Sequence, residues 1–166
     1  MSYEEVRTGE VGELWVRGPQ VMKGYYNDQM STEETLIDGW LRTGDLARED
    51  EEGHIYIVDR LKELIKCKGF QVAPAEIEHI LLGHADILDA AVIGEPHLGL
   101  GETPVAYVVR RDGSVVSPEK IIEFAASGTA KYKRLSKVIF TEAIPRSPSG
   151  KILRRVIKEK HLADGF

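Results

Sequence analysis

An α+β fold is what this sequence predicts, on three observations. From about residue 63 onward, helical and strand patterns alternate over roughly a hundred residues, the size of one compact domain. The stretch before it reads mainly as strand and turn, and is too short and Gly-rich for a convincing separate core. Hydrophobic residues make up 42% of the 166-residue chain, which allows a packed core and argues against disorder.

The elements follow in order. At 13–17, Leu14 and Val16 alternate with Trp15 and Arg17, which suits a strand ended by Gly18-Pro19. Ser31-Thr32-Glu33-Glu34 has the form of a capping box, so a short helix is expected from Ser31 to about Ile37, broken at Asp38-Gly39. Residues 50–53 form a polar turn, and 54–58, rich in β-branched and aromatic residues, a second strand. The basic stretch 60–69 shows no core face and is expected to be a loop with one short strand. Pro74 suits the first turn of a helix; Ile77, Ile80 and Leu81 recur at helical spacing, and Gly83 ends it. Strands are expected at 88–93, 104–109 and 138–140. Ser117-Pro118 starts another helix, with Ser117 as N-cap and Ile121, Ile122, Phe124 and Ala125 on its apolar side. A Pro/Ser-rich loop at 144–150 leads to a final basic helix at 153–161.

Composition excludes several classes. The net charge of −5 argues against bulk nucleic-acid binding, which needs a basic field. Cys67 is the only cysteine, so there is no internal disulfide and no cysteine-built zinc site. A reducing, cytoplasmic setting is expected. No apolar run approaches the length of a membrane span, the first residues lack the pattern of a signal peptide, and the last are not a Ser-Lys-Leu tripeptide. The five histidines are scattered without metal spacing and read as structural or surface residues; no metal site is expected.

Two motifs mislead. Gly99-Leu-Gly101-Glu-Thr-Pro104 lacks the third glycine of a dinucleotide fingerprint and runs into a strand. Ser147-Pro-Ser-Gly-Lys151 is not a P-loop, because Pro145 stands where the first glycine belongs and Ile152 follows the lysine.

Four stretches carry more weight because they occur in series. The first is Gly12-Glu-Leu-Trp-Val-Arg-Gly-Pro19 with Gly24-Tyr-Tyr-Asn27. The second is Gly39-Trp-Leu-Arg-Thr-Gly-Asp-Leu46. The third runs from Ile57-Val-Asp-Arg60 through Lys68-Gly-Phe-Gln71 to Glu78. The fourth is Ile144-Pro-Arg-Ser-Pro-Ser-Gly-Lys-Ile-Leu-Arg-Arg155. Together they resemble the C-terminal third of the adenylate-forming enzymes: acyl-CoA synthetases, luciferases and peptide-synthetase adenylation domains. The last stretch is most similar to 4-coumarate:CoA ligases.

The resemblance implies a small C-terminal lid domain at 63–166, with a mixed sheet flanked by helices. A hinge would lie at 60–62, and 1–59 would be the β-rich end of the large AMP-binding domain. It implies carboxylate activation by ATP to acyl-AMP, then thioester formation with coenzyme A. Between the two steps the lid would rotate about the hinge. Magnesium would be bound by the N-terminal domain. That domain's phosphate loop, its Tyr-Gly-x-Thr-Glu segment and its acyl pocket are not in this sequence. The expectation is therefore a fragment, inactive alone, whose partners are the N-terminal domain, a small carboxylic acid, ATP and CoA.

Site residues are carried over one at a time. Asp45 matches the carboxylate that holds the AMP ribose; two oxygens suit a diol, although an isolated Thr-Gly-Asp would read as a turn. Arg60 matches a second ribose and phosphate contact, against the alternative of a surface ion pair. Lys62 matches the hinge and, in one conformer, an adenylate contact. Lys66 and Gln71 match groups facing the adenylate. Lys68 and Gly69 match positions beside the CoA tunnel, where a lysine offers a point charge and a glycine allows close approach. A solvated basic loop is the plain alternative, above all for Lys68. Cys67 reads as filler, with no base to activate it. Lys151 matches the adenylation lysine. Charge builds on the α-phosphate and the attacking carboxylate, and a lysine bridging both would stabilise that state. A mobile loop is expected around it. Arg154, Arg155 and Lys158 read as solvated residues of a basic helix. The rival is a non-catalytic module that binds an anion or a partner through Lys131, Lys133, Arg134, Lys137 and the last helix. A luciferase or peptide-synthetase lid is the other alternative.

Overall fold

The computed structural model describes residues 3–165. Met1, Ser2 and Phe166, on which the readings of the two chain ends partly rest, lie outside the described residues. The chain divides between Lys62 and Glu63 into two compact units.

The first unit is a small sheet. Strand β1 (Val11–Val16) and the two-residue β2 (Leu36–Ile37) pair with the long β3 (Trp40–Glu49), whose outer half also pairs with β4 (Ile55–Arg60), all antiparallel. One helix, α1 (Gln29–Thr35), precedes β2. Two expectations need correction here. Asp28, not Ser31, caps α1: its carboxylate accepts from the Ser31 amide at 2.9 Å and from the Ser31 hydroxyl at 2.7 Å. The helix also stops at Thr35, because Asp38-Gly39 is a hairpin turn and not merely a helix breaker. Both residues have positive φ (51° and 80°), and Ile37 pairs with Trp40 across the turn. Two consecutive left-handed residues define the type I′ turn, whose twist matches that of paired strands.

The second unit is a five-stranded mixed sheet covered on both faces. Strand β5 (Ile65–Cys67) forms a hairpin with β6 (Phe70–Val72); helix α2 (Pro74–Leu82) follows; β7 (Ile87–His97) and β8 (Gly101–Arg110) make a long antiparallel hairpin. Helix α3 (Pro118–Ser127) crosses over to β9 (Lys137–Phe140), which joins β8 in parallel, and α4 (Arg154–Ala163) closes the unit. The expected helix starts hold. Pro74 and Pro118 lie in the first turns of α2 and α3, and the Ser117 hydroxyl accepts from the Lys120 amide. The stretch 60–69 contains the one short strand expected of it, β5, but that strand pairs with the unexpected β6 to make a hairpin at 65–72.

Strand alternation sorts the core into two layers. Ala90, Val92, Ala106 and Val108 pack with Ile77 and Leu81 of α2 and Ile121 and Ala125 of α3. Ala91, Ile93, Val105, Tyr107 and Val109 face the other way, against Ile157 of α4 and Ile144 of the loop after β9. A strand buried on both faces reads as a continuous apolar run, which is the pattern of 90–93 and 104–109.

Candidate functional site

In the first unit, the structure brings Asp45 and Arg60 together. They are direct cross-strand partners on β3 and β4, and Arg60 Nε lies 3.1 Å from Asp45 Oδ1. Asp45 is inside β3, at an irregularity in its pairing with β1, and not between strands. The Thr43 hydroxyl donates to the Leu14 carbonyl at 2.7 Å and accepts from the Asp45 amide at 3.1 Å, which fixes the backbone there. Neighbouring Asp59 is buried and accepts from the Arg60 amide at 2.7 Å. The Arg60 side chain is 55% exposed, so its ion pair is worth only about 0–1 kcal/mol to the fold. The pair presents an oxygen acceptor beside a fork of N–H donors, the chemistry that a sugar diol next to a phosphate needs. Lys62 is exposed in a three-residue 3-10 turn, Leu61–Glu63.

In the second unit, Lys66 and Gln71 are cross-strand partners on β5 and β6 and therefore share one face of the hairpin, both exposed. Lys68 and Gly69 are the two residues of its turn, with φ of 52° and 80°. Gly69 is thus explained locally, as the residue that a type I′ turn favours. Cys67 points the other way, into the core, as filler would. The hairpin is held to β8 at close range. The Lys66 amide donates to Glu102 Oε2 at 2.8 Å and the Lys68 amide to the Leu100 carbonyl at 2.8 Å. A Cβ at Gly101 would come 2.7 Å from the Lys66 carbonyl oxygen, so only glycine lets these backbones approach.

Lys151 is exposed on a separate loop, which is pinned at both ends rather than loose. Arg146 and Ile152 form a β-bridge, the Ser147 amide donates to the Lys151 carbonyl at 2.8 Å, and the Lys151 amide donates to Ser147 Oγ at 3.2 Å. Arg146 adds a fork to Asp89 of β7, with Nη2 at 2.8 Å and Nε at 3.3 Å, while its Nη1 donates to the Gly150 carbonyl. These bonds hold 146–152 together in this structure. The loop backbone is tied to the sheet, and the lysine side chain projects from a fixed base.

Arg154 corrects a further expectation. It is not solvated: its side chain is 13% exposed and bonds three elements at once. Nη1 donates to Glu63, Nη2 donates to both oxygens of Glu78 at 2.7 and 2.8 Å, and Nε donates to the Val92 carbonyl at 3.3 Å. Glu78 also accepts from the Val92 amide at 2.8 Å. No local signal finds this network, because the partners of Arg154 are 91 and 76 residues away. Arg155 and Lys158 lie on the same helix, and Arg155 makes an exposed pair with Glu159.

His161 is structural and buried, between the Tyr107 hydroxyl (2.8 Å) and Glu95 (2.9 Å), with Lys137 also on Glu95 at 3.2 Å. Burial raises the Glu95 pKa, but the hydrogen bonds from His161 and Lys137, together with their charges, outweigh that and leave it below its ordinary value. Tyr107 is pushed up, first by burial and then by the charges of Asp164 and Glu95. Lys133 is engaged by Glu76 at 2.6 Å. Lys133 and Lys137, two of the four cations outside the last helix that an anion-binding module would use, are thus neutralised at close range. Among the described residues no group of three or more His, Cys, Asp or Glu could hold a metal ion. No helix among them is long and apolar enough to cross a membrane.

Most of α2 and the Lys151 loop fall within a match to known sequences, with the hairpin just before it: residues 76–151 fit the family described as AMP-binding enzyme C-terminal domain. This chain carries an AMP-binding enzyme C-terminal domain. Lys151 is the last residue of the matched stretch. The peroxisomal OPC-8:0-CoA ligase 1 of Arabidopsis thaliana is 56% identical over 147 residues, which are 88% of this chain and 27% of the relative. The 4-coumarate–CoA ligase 1 of the same plant is 49% identical over 164 residues, 98% of this chain and 29% of the relative. The solved structure of ATP-bound MatB from Rhodopseudomonas palustris superimposes with a TM-score of 0.91 at 35% identity, covering 95% of this chain and 32% of that one. The α+β fold with its mixed sheet is the one expected. The chain spans less than a third of the length of the curated relatives it matches.

Proposed function

We propose that this chain is the C-terminal portion of an ATP-dependent acyl-CoA ligase of the 4-coumarate:CoA ligase type. Its two steps are adenylation of a small carboxylic acid, then transfer of the acyl group to coenzyme A. In this reading Lys151 bridges the α-phosphate and the attacking carboxylate as charge develops on both. Asp45 and Arg60 hold the AMP ribose and the adjoining phosphate. Lys62 is the hinge of a lid that begins at Glu63, and residues up to 59 close the large AMP-binding domain. Lys66 and Gln71, side by side on the hairpin, face the adenylate in the thioester-forming arrangement. Lys68 and Gly69, at its tip, line the approach of CoA. Magnesium and the acyl group are held by the N-terminal domain, so the chain alone performs neither step.

The observation that carries the reading is Lys151, an exposed ammonium on a loop fixed at both ends, at the end of a stretch that fits an AMP-binding family. A fixed base matters because a bridging charge must be placed to within a fraction of an ångström. Identity to CoA ligases over most of the chain supports the choice of thiol acceptor. A cytoplasmic setting belongs to the proposal on the strength of one buried, unpaired cysteine, and imaging of the tagged protein checks it.

The test is made in the full-length protein that carries this segment. Lys151→Ala lowers ATP–pyrophosphate exchange by roughly a hundredfold or more while thioester formation from supplied acyl-AMP persists. Equal loss of the two half-reactions would sink the assignment, and so would robust exchange by the 166-residue chain by itself.

A further inference from the structure

We propose that Arg154 is a positioning residue for Lys151, and that its bond to Glu63 fixes where the lysine stands relative to the hinge. The inference rests on the reading above of Lys62 as hinge and Lys151 as adenylating lysine.

The two lysines assigned to the two half-reactions are attached to the hinge differently. Lys66 lies three residues beyond Glu63, on β5, so a turn at Lys62 moves it through the backbone. Lys151 lies far along the chain. The side-chain path that leads from its segment straight back to the hinge runs through Arg154, three residues after it, to Glu63, the residue directly after Lys62. Arg154 also clamps Glu78 of α2 and the Val92 carbonyl of β7, so Glu63 is held against the body of the domain and not left as linker.

Local helix chemistry does not account for Arg154. It is the first residue of α4, where the unpaired N–H groups and the helix dipole favour an anion, and no acidic residue stands in that turn. Leu153 supplies no side-chain cap. A cation at this end is opposed by the helix and is stabilised instead by the two carboxylates and the Val92 carbonyl that it meets. Arginine suits the task, since its planar fork can serve Glu63 and Glu78 in fixed directions at once. Glu78, whose side chain is 9% exposed, is the structural half of the network. Glu63, at 29%, is the half that can be removed while Glu78 keeps its partner.

The test separates the halves in the full-length protein. Glu63→Ala cuts the tie to the hinge and leaves Arg154 on Glu78. Adenylation falls by roughly ten- to a hundredfold, the effect of misplacing a reacting group by about 1 Å, and thioester formation from supplied acyl-AMP stays within about twofold. Glu63→Gln, which keeps the shape and drops the charge, gives a smaller loss with the same asymmetry; it is read in place of the alanine variant should that one fold poorly. Loss of both half-reactions in parallel overturns the proposal, since it marks a merely structural residue. So does adenylation unchanged within about twofold. Lys151→Ala runs beside them as the reference. If it separates the half-reactions and Glu63→Ala does not, the positioning role alone fails. If it does not separate them, the functional reading fails and takes this inference with it.

Discussion

The two units of this chain handle apolar surface in opposite ways. The second buries both faces of its sheet, one under α2 and α3 and one under α4. The first has one buried hydrophobic residue among its described residues, Ala47, and its helix α1 buries none. Ile55, Tyr56 and Ile57 are consecutive along β4 and all at least half exposed. Layered folds are stable because each apolar face meets another, and the first unit provides no second layer of its own. The lesson is that one stretch of chain holds a self-sufficient domain next to a sheet that is not one. This fits the reading of the first unit as the edge of something larger.

Three measurements sharpen or break this contrast, in falling order of effect. Arg154→Met removes the guanidinium that forks onto the buried carboxylate of Glu78 and is expected to destabilise the second unit by about 3–5 kcal/mol in denaturant melts. A loss below about 1 kcal/mol would mean that the network is dispensable. Next, Ile121→Ala opens a cavity under a fully buried side chain at a cost of about 2–5 kcal/mol, whereas Ile57→Ala, at 59% exposure, changes the same melt by no more than about 0.5 kcal/mol. Comparable costs at the two sites would erase the difference between the units. The smallest effect is acid sensitivity. The folded pKa of Glu95 is depressed, so its contribution is complete above the ordinary glutamate value and is lost as pH falls through the lower, folded value. Glu95→Gln should therefore flatten part of the acid limb of stability against pH. An unchanged limb would show that the contacts to His161 and Lys137 carry no net weight.

Much of the second unit is legible from sequence because its signals are local. Pro74, Ser117-Pro118 and the apolar runs at 90–93 and 104–109 each determine their element within a few residues. The hairpin at 65–72 is missed because its strands are three residues long and its turn, Lys68-Gly69, looks like part of a basic tract. In the first unit Asp38-Gly39 carries a hairpin signal that the acidic tract before it disguises as a helix end. At the candidate site, sequence likeness points to Asp45, Arg60 and Lys151. It cannot show that Asp45 faces Arg60 across a strand pair, that Arg146 ties the Lys151 loop to Asp89, or that Arg154 reaches Glu63. Such contacts join residues far apart in sequence or on different strands, and they exist only once the sheet has formed.

The β5–β6 turn has one last consequence, which concerns handedness. Lys68 and Gly69 both occupy the backbone region that is natural to mirror-image amino acids. The tip of the hairpin therefore acts as a stereochemical filter. An L-alanine at Gly69 would be strained although nothing crowds its Cβ, whereas a D-alanine there would fit the turn without rearrangement. Semisynthesis with the two enantiomers would thus alter the shape of the hairpin while leaving its charge untouched, and would separate what geometry contributes at this tip from what the lysine contributes.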